Sequence, residues 1–346
     1  MPFQVSKGTN ISHWLSQSNR RGAERAAWFT EKDVQYIAGL RGPADARGLG
    51  GGFDHLRIPI DEEQMWDKQG RKEAQAFDLL DAALDWCAEA GLRAIVDLHI
   101  LRSHYFNDRQ EQLLFTDPAE EARFANLWRD LSAHLQSRSN DWVAYELLNE
   151  AVARDPEDWN RVAMAAFSAV REREPERTIV LGSNLWNQHH TFARLTVPDD
   201  PKTILTYHYY YPMLITHHQA RWWEGGVYAG PIRYPGTPIA PEDLEGLDEA
   251  FLERADEWNA PFDRSQMVAD LAQPLAVRAR TGLPLYCGEF GCYEKTPQAI
   301  RLAWYRDIMQ TFKGHDIAWA NWDYKGYFGI VTPGGQDTGI VEVLLA

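Results

Sequence analysis

The chain has 346 residues, long enough for one large domain and within the size range of α/β barrels. Apolar residues make up 45% and charged residues 25%, the balance of an ordinary globular protein. The formal net charge is −15, from 35 Lys and Arg against 50 Asp and Glu, which argues against nucleic acid or an anionic membrane surface as the main partner.

In chain order, eight short apolar runs read as strands: "FQVSKGTN", "FDHLRIPI", "LRAIVDLHI", "WVAYELLNE", "TIVLGSN", "TILTYHYY", "PLYCGEF" and "IAWANWDY". Longer amphipathic stretches separate most of them. "EAQAFDLLDAALDWCAEAGL" repeats apolar residues at helical spacing and stops at Gly91. "DPAEEARFANLWRDLSAHLQSR" and "DPEDWNRVAMAAFSAVRERE" each open on Asp-Pro with acidic residues in the first turn, as helices do.

Such alternation implies parallel strands and right-handed crossovers. Eight units point to a (β/α)8 TIM barrel, α/β in class, expected to form a single domain over residues 1–346. An open doubly wound sheet would place a Gly-rich loop after its first strand, whereas "GLGGGF" at 48–53 precedes a strand and reads as a turn. Residues 211–262, with "THHQARWWEGGVYAGPIRYPGTP", break the rhythm after strand six. A long aromatic-rich insert of this kind is expected to be an ordered lid or wall over the barrel mouth.

Cys87, Cys287 and Cys292 form neither a disulfide framework nor a zinc spacing, and read as buried apolar residues or free thiols. No stretch reaches transmembrane length. The opening "MPFQVSKGTN" carries no leader pattern, so the chain as written reads as cytoplasmic; an extracellular or periplasmic location is expected instead if a leader has been trimmed.

In a barrel of this kind the carboxyl ends of the strands build the site. Those ends offer Arg57, His99, Asn149 with Glu150, His208 with Tyr210, Glu289 and Trp322. Taken singly, each has a structural explanation. Together at successive strand ends they suit one chemistry. Hydrolysis of a glycosidic bond with retention needs two carboxyl groups about 5 Å apart, one nucleophile and one acid/base. Glu150 and Glu289, on strands four and seven, would reach inward from opposite sides of the mouth. Arg57 and the Tyr210 hydroxyl suit an anionic Glu289, whose charge would raise the pKa of Glu150, with His208 tuning that proton. Asn149 suits donation to a sugar 2-hydroxyl, and Trp322 suits stacking on a sugar ring.

These residues carry a resemblance. "GTNISHWL", "HLRIPI", "VDLHI", "LLNE", "YHYYYP", "CGEFG" and "WANWDYKG" run in order from about residue 6 to residue 325, and the chain resembles glycoside hydrolase family 5, the cellulase-type retaining (β/α)8 enzymes of clan A. The resemblance implies that Glu150 is the acid/base and Glu289 the nucleophile, a division that spacing alone does not give. It also implies that Arg57, His99, Asn149, His208, Tyr210 and Trp322 form the rest of the shared site, and that the substrate is most often a β-1,4-linked glucan. Mannan, xyloglucan and exo-cleavage of oligosaccharides stay open.

Trp14, Trp28, Trp186, Trp222, Trp223 and Tyr324 are candidate subsite platforms, each of them equally suited to the core. Asp323 and Lys325 are placed to contact sugar hydroxyls or to pair with each other, and the resemblance fixes no role for His104. No metal, no organic cofactor and no nucleic-acid or membrane partner is expected, and the oligomeric state is left open. Two rival readings differ in class. A metal-dependent barrel hydrolase would want His-x-His on an early strand, whereas "LRAIVDLHIL" has one His. A carbohydrate-binding protein on the same scaffold would have no need of the carboxylate pair.

Overall fold

The computed structural model describes residues 3–41, 51–108 and 110–346. Eight parallel strands close into a barrel in sequence order. They are β1 Lys7–Asn10, β2 His55–Asp61, β3 Arg93–Ile100, β4 Val143–Glu146, β5 Ile179–Gly182, β6 Thr203–Tyr209, β7 Leu285–Phe290 and β8 Ala318–Asn321. Seven of the eight expected runs contain one of these strands, the eighth falls one residue short of the end of β2 at Asp61, and β1 pairs with β8 to complete the ring. The Gly-rich turn at 48–53 lies in part outside the described residues; within them, Gly52 bridges to Arg41 ahead of β2.

Helices fill the crossovers where the periodicity places them. Ala74–Glu89 is capped by the Glu73 side chain, and Gly91 takes φ +73 just beyond it. Pro118–Leu135 and Pro156–Arg171 start on Asp117 and Asp155, whose carboxylates accept from the backbone N–H groups of Ala119 and Glu157.

The barrel interior divides into two zones. Toward the amino ends of the strands Phe3, Val5, Ile95, Ala144, Val180, Ile204, Tyr286, Ala318 and Ala320 form an apolar plug. Because side chains alternate along a strand, Ile95 shares its face with Asp97 and His99, and Ala144 shares its face with Glu146. The inward face therefore turns polar toward the carboxyl ends. Most tryptophans pack between strands and helices. Trp128, Trp159 and Trp304 are fully buried and donate their indole N–H to the carbonyls of Leu147, Gly182 and Tyr211. Cys87, Cys287 and Cys292 are buried free thiols.

Between β6 and β7 the chain forms a 3-10 turn at Glu224–Val227 and a helix at Glu249–Trp258, and is pinned by a bridge between Gly236 and Phe262. Among the described residues no helix is long and apolar enough to cross a membrane.

Candidate active site

The polar zone is organised around Arg57, which is wholly buried on β2. Its Nε and Nη2 donate to the two carboxylate oxygens of Glu146 at 2.7 and 2.9 Å. Nη1 donates to Glu289 Oε1 at 2.7 Å and to Asn10 Oδ1 at 2.9 Å. Nη2 also reaches Asn149 Oδ1 at 2.9 Å and lies 3.0 Å from Asp97 Oδ2. Burial lowers the tendency of this guanidinium to hold its proton, but Asp97, Glu146 and Glu289 reverse that and hold it charged.

Glu289 owes its direction to a bulge. Tyr207 pairs with Cys287 and His208 pairs with Glu289, so Gly288 is an extra residue in β7. A Cβ at Gly288 would stand 2.8 Å from Thr206 Oγ1, which only glycine avoids. The bulge brings Glu289 level with His208. Tyr210, one residue past β6, donates its hydroxyl to Glu289 Oε2 at 3.0 Å.

Glu150 lies beyond the strand to which the sequence pattern assigned it. The apolar run continues to Leu148, yet β4 ends at Glu146, and Glu150 adopts φ +47 on a bend. A non-glycine residue in that region carries strain of about 1–3 kcal/mol. His208 Nδ1 lies 2.8 Å from Glu150 Oε1, and Asn187 Nδ2 faces His208 Nε2 at 3.3 Å. The amide makes Nε2 an acceptor, so the proton sits on Nδ1 and is donated to Glu150. Burial and the Arg57 charge depress the His208 pKa well below its ordinary value, which keeps the ring neutral.

Ligand oxygens of Glu150 and Glu289 come within 4.8 Å of each other and of His208. Burial and the neighbouring Glu289 charge push Glu150 well above the usual carboxylate range. Burial also raises Glu289, but Arg57 and the Tyr210 hydroxyl oppose it. These surroundings favour the proton on Glu150 and the charge on Glu289.

His99 on β3 is boxed in. Its Nδ1 faces Asp97 Oδ2 at 2.6 Å, its Nε2 faces the Gln17 amide at 3.1 Å, and Trp322 stacks on it with centroids 5.6 Å apart. Burial brings its pKa down to about 3, so it too is neutral. Asn149 Oδ1 is held by Arg57, while its Nδ2 is buried without a partner among the described residues. That leaves one donor for an incoming group.

The expected platforms separate into three sets. Trp14 and Tyr324 are core residues. Trp14 is fully buried with its N–H on the Arg25 carbonyl, and Tyr324 packs on Phe29 with its hydroxyl on Asp33. Trp28 and Trp223 are half-buried. The Arg20 guanidinium covers the Trp28 ring at 3.8 Å, and Trp223 packs on Trp258 at 5.2 Å. Trp186 and Trp222 are exposed, at 43% and 54%. Leu185, Trp186 and Asn187 follow one another at φ 50, 60 and 53, a strained turn that holds the Trp186 N–H against the Phe106 carbonyl. Asp323 is buried against Ser12, and Lys325, partly exposed, pairs with Asp33, so these two do not pair with each other.

Glu146, Asp97, Gln17 and Asn10 joined the network without being singled out from the sequence. The signal existed in two cases. Glu146 is a lone charge inside an apolar strand, and "VDLH" spaces Asp97 two residues from His99, on one strand face.

A closed parallel barrel with two carboxyl groups this close at its carboxyl-end mouth defines a glycoside hydrolase of the retaining type. Residues 47–327 match the family model described as cellulase (glycosyl hydrolase family 5), and the chain belongs to that family. It is 30% identical over 322 residues to endoglucanase C of Acetivibrio thermocellus, covering 92% of this chain and 90% of that one. It is 27% identical over 316 residues to cellodextrinase A of Ruminococcus flavefaciens, covering 91% and 84%. Thermotoga maritima Cel5A in complex with cellobiose shares the fold, with a TM-score of 0.76, 22% identity and coverage of 98% and 97%. So does the cellulose synthase subunit Z of Clostridioides difficile, with a TM-score of 0.77, 19% identity and coverage of 99% and 100%.

Proposed function

We propose that this β-glycoside hydrolase cleaves β-1,4-linked glucan, with Glu289 as nucleophile and Glu150 as acid/base. The observation that carries the assignment is the unequal environment of the two carboxyls. Arg57 at 2.7 Å and Tyr210 at 3.0 Å donate to Glu289, whereas Glu150 is faced by the neutral His208. Glu289 attacks the anomeric carbon as the anion. Glu150 gives its proton to the departing glycosidic oxygen, so the bond to the leaving sugar breaks as the glycosyl–Glu289 ester forms. Glu150, now ionised, takes a proton from water as the water oxygen attacks the anomeric carbon and the ester bond to Glu289 breaks. This releases the sugar with its original configuration and restores the Glu289 carboxylate. As Glu289 loses its charge to the ester, the proton affinity of Glu150 falls, which suits the switch from acid to base.

Asn149 Nδ2 serves the 2-hydroxyl of the reacting sugar, and Trp322, braced by His99, supplies a stacking face. Trp186 lies on the turn whose backbone N–H bonds the carbonyl of Ala151, next to Glu150, so it suits the leaving-group sugar. Trp222 belongs to the 211–262 insert, which we read as a wall or lid of the substrate cleft within a single barrel domain. The relatives named endoglucanase and cellodextrinase support a glucan substrate.

The test is hydrolysis of β-linked gluco-, manno- and xyloglucan oligosaccharides, with the first-formed anomer followed by NMR. β-Anomer from cello-oligosaccharides, cut at internal bonds, is the expected result. Turnover of mannan alone would overturn the substrate, and first-formed α-anomer would overturn the double displacement.

A further inference from the structure

Glu146 has no part in the steps above, yet both of its carboxylate oxygens are held inside the barrel. It is wholly buried at the end of β4, in register with Asp97 of β3. Both of its oxygens are engaged by Arg57, at 2.7 and 2.9 Å. A buried carboxylate is expensive to desolvate, and Glu289 alone would suffice to neutralise Arg57. Burial raises the Glu146 pKa, and the two bonds from a charged guanidinium oppose that and hold it as the carboxylate.

The geometry indicates what the extra carboxylate does. Two parallel N–H···O bonds fix both the plane and the direction of a guanidinium, which a single contact does not. With Nε and Nη2 held by Glu146, Nη1 is left facing Glu289 and Asn10. A second effect is electrostatic. One cation divided among Glu146, Asp97 and Glu289 stabilises the nucleophile less than an undivided one would. A nucleophile held too firmly as the anion is a weaker base toward the anomeric carbon.

We propose that Glu146 is a positioning residue for the nucleophile: it clamps the Arg57 fork against Glu289 and draws off part of its charge, which keeps Glu289 basic enough to attack. The inference rests on Glu289 being the nucleophile. Other charged or titratable groups facing Glu289 are Asp97 and His99 of β3, Glu150, and His208 and Tyr210 at the end of β6. Cys287 of β7 adjoins it, and Glu146 itself also influences Tyr286 of β7. Glu146→Gln leaves these side chains in place but removes a negative charge that also raises Glu150 and Tyr286.

The sign follows from removing a negative charge. With Gln at 146, Arg57 acts more fully on Glu289, its pKa falls, and the acid limb of kcat/KM moves to lower pH, by about half to one unit. Attack itself slows. Inactivation by a 2-deoxy-2-fluoro-β-cellobioside with a dinitrophenolate leaving group isolates this step, because such a leaving group needs no proton from Glu150. We expect inactivation of Glu146→Gln to be roughly 10-fold slower or more, the scale of about 1.4 kcal/mol. Glu146→Asp keeps the charge but shortens the reach, so its acid limb should stay in place while its inactivation rate falls.

An acid limb and inactivation rate unchanged in a folded Glu146→Gln enzyme would overturn the proposal, as would a limb moved to higher pH. If Glu146→Gln does not fold, Glu146→Asp decides: an inactivation rate equal to wild type overturns the clamp. Failure of the wild-type enzyme itself to be trapped would instead count against Glu289 as nucleophile.

Discussion

His208 donates to Glu150 through Nδ1 at 2.8 Å, and the same nitrogen stands 3.6 Å from Glu289. A neutral donor aimed at the acid/base stabilises the carboxylate that appears as the proton leaves. That stabilisation is greater in the transition state than before it. His208→Ala should therefore lower kcat on unactivated oligosaccharides by roughly 10²–10³-fold, the scale of one lost donor to developing charge. Aryl glycosides with a dinitrophenolate leaving group should lose far less in the first step. Equal losses on both substrates would show that His208 does not act through Glu150.

Trp222 and Trp223 of the insert should behave differently. Trp222 is 54% exposed and meets Tyr293 edge-on at 5.0 Å, whereas Trp223 packs inward on Trp258. Trp222→Ala should raise KM for longer oligosaccharides, by up to about 10-fold, with little change in melting temperature. Trp223→Ala should lower stability by about 3 kcal/mol. Michaelis constants for all chain lengths left unaltered by Trp222→Ala would remove the insert from substrate binding.

Glu150, His208 and Glu289 also bring three ligand atoms within 4.8 Å of one another, enough in principle to hold a cation. The guanidinium 2.7 Å from Glu289 opposes one, and an ion there would occupy both reacting carboxyls. Dialysis against a chelator should leave kcat unchanged, and added zinc should inhibit. Activity lost to the chelator and restored by one metal would favour a metal-dependent hydrolase.

Much of this site was legible because its residues lie on strands. His99, His208 and Glu289 stand next to last on β3, β6 and β7, where a polar residue late in an apolar run marks them, whereas Arg57, expected at a strand end, is the third of seven residues in β2. Glu150 was found for a less secure reason, since β4 stops four residues earlier and a bend delivers the carboxyl. The bulge at Gly288 was invisible, because register depends on the neighbouring strand. Glu146 read as an interruption in an apolar run, since its partner Arg57 is 89 residues away in sequence. Trp14 and Tyr324 could not be told from platforms, because an aromatic ring suits a core and a sugar face equally well.

His104, for which the sequence supplied no role, lies buried with both ring nitrogens lacking a partner among the described residues and packs edge-on to Phe115. Burial holds its pKa down to about 3. A depressed folded-state pKa means that stability is full above the unfolded value, near 6.5, and is lost as pH falls toward 3. At pH 5 this single group should cost about 2 kcal/mol relative to pH 7.5. Chemical unfolding of His104→Leu and wild type at the two pH values isolates the effect, because the packing change is common to both. The variant should lose about 2 kcal/mol less than wild type on acidification. Equal losses would mean that His104 is protonated in the folded protein.

The division of labour between Glu289 and Glu150 is tested most directly by azide rescue of their alanine variants. In Glu289→Ala, azide should occupy the emptied side and displace the leaving group once, giving an α-glycosyl azide from a β-glycoside. In Glu150→Ala with an activated aryl β-glycoside, azide should instead open the accumulated glycosyl–Glu289 ester and give the β-azide. Those two products, one from each variant, are the result predicted here. The opposite pairing, or a β-azide from Glu289→Ala, would contradict the assignment.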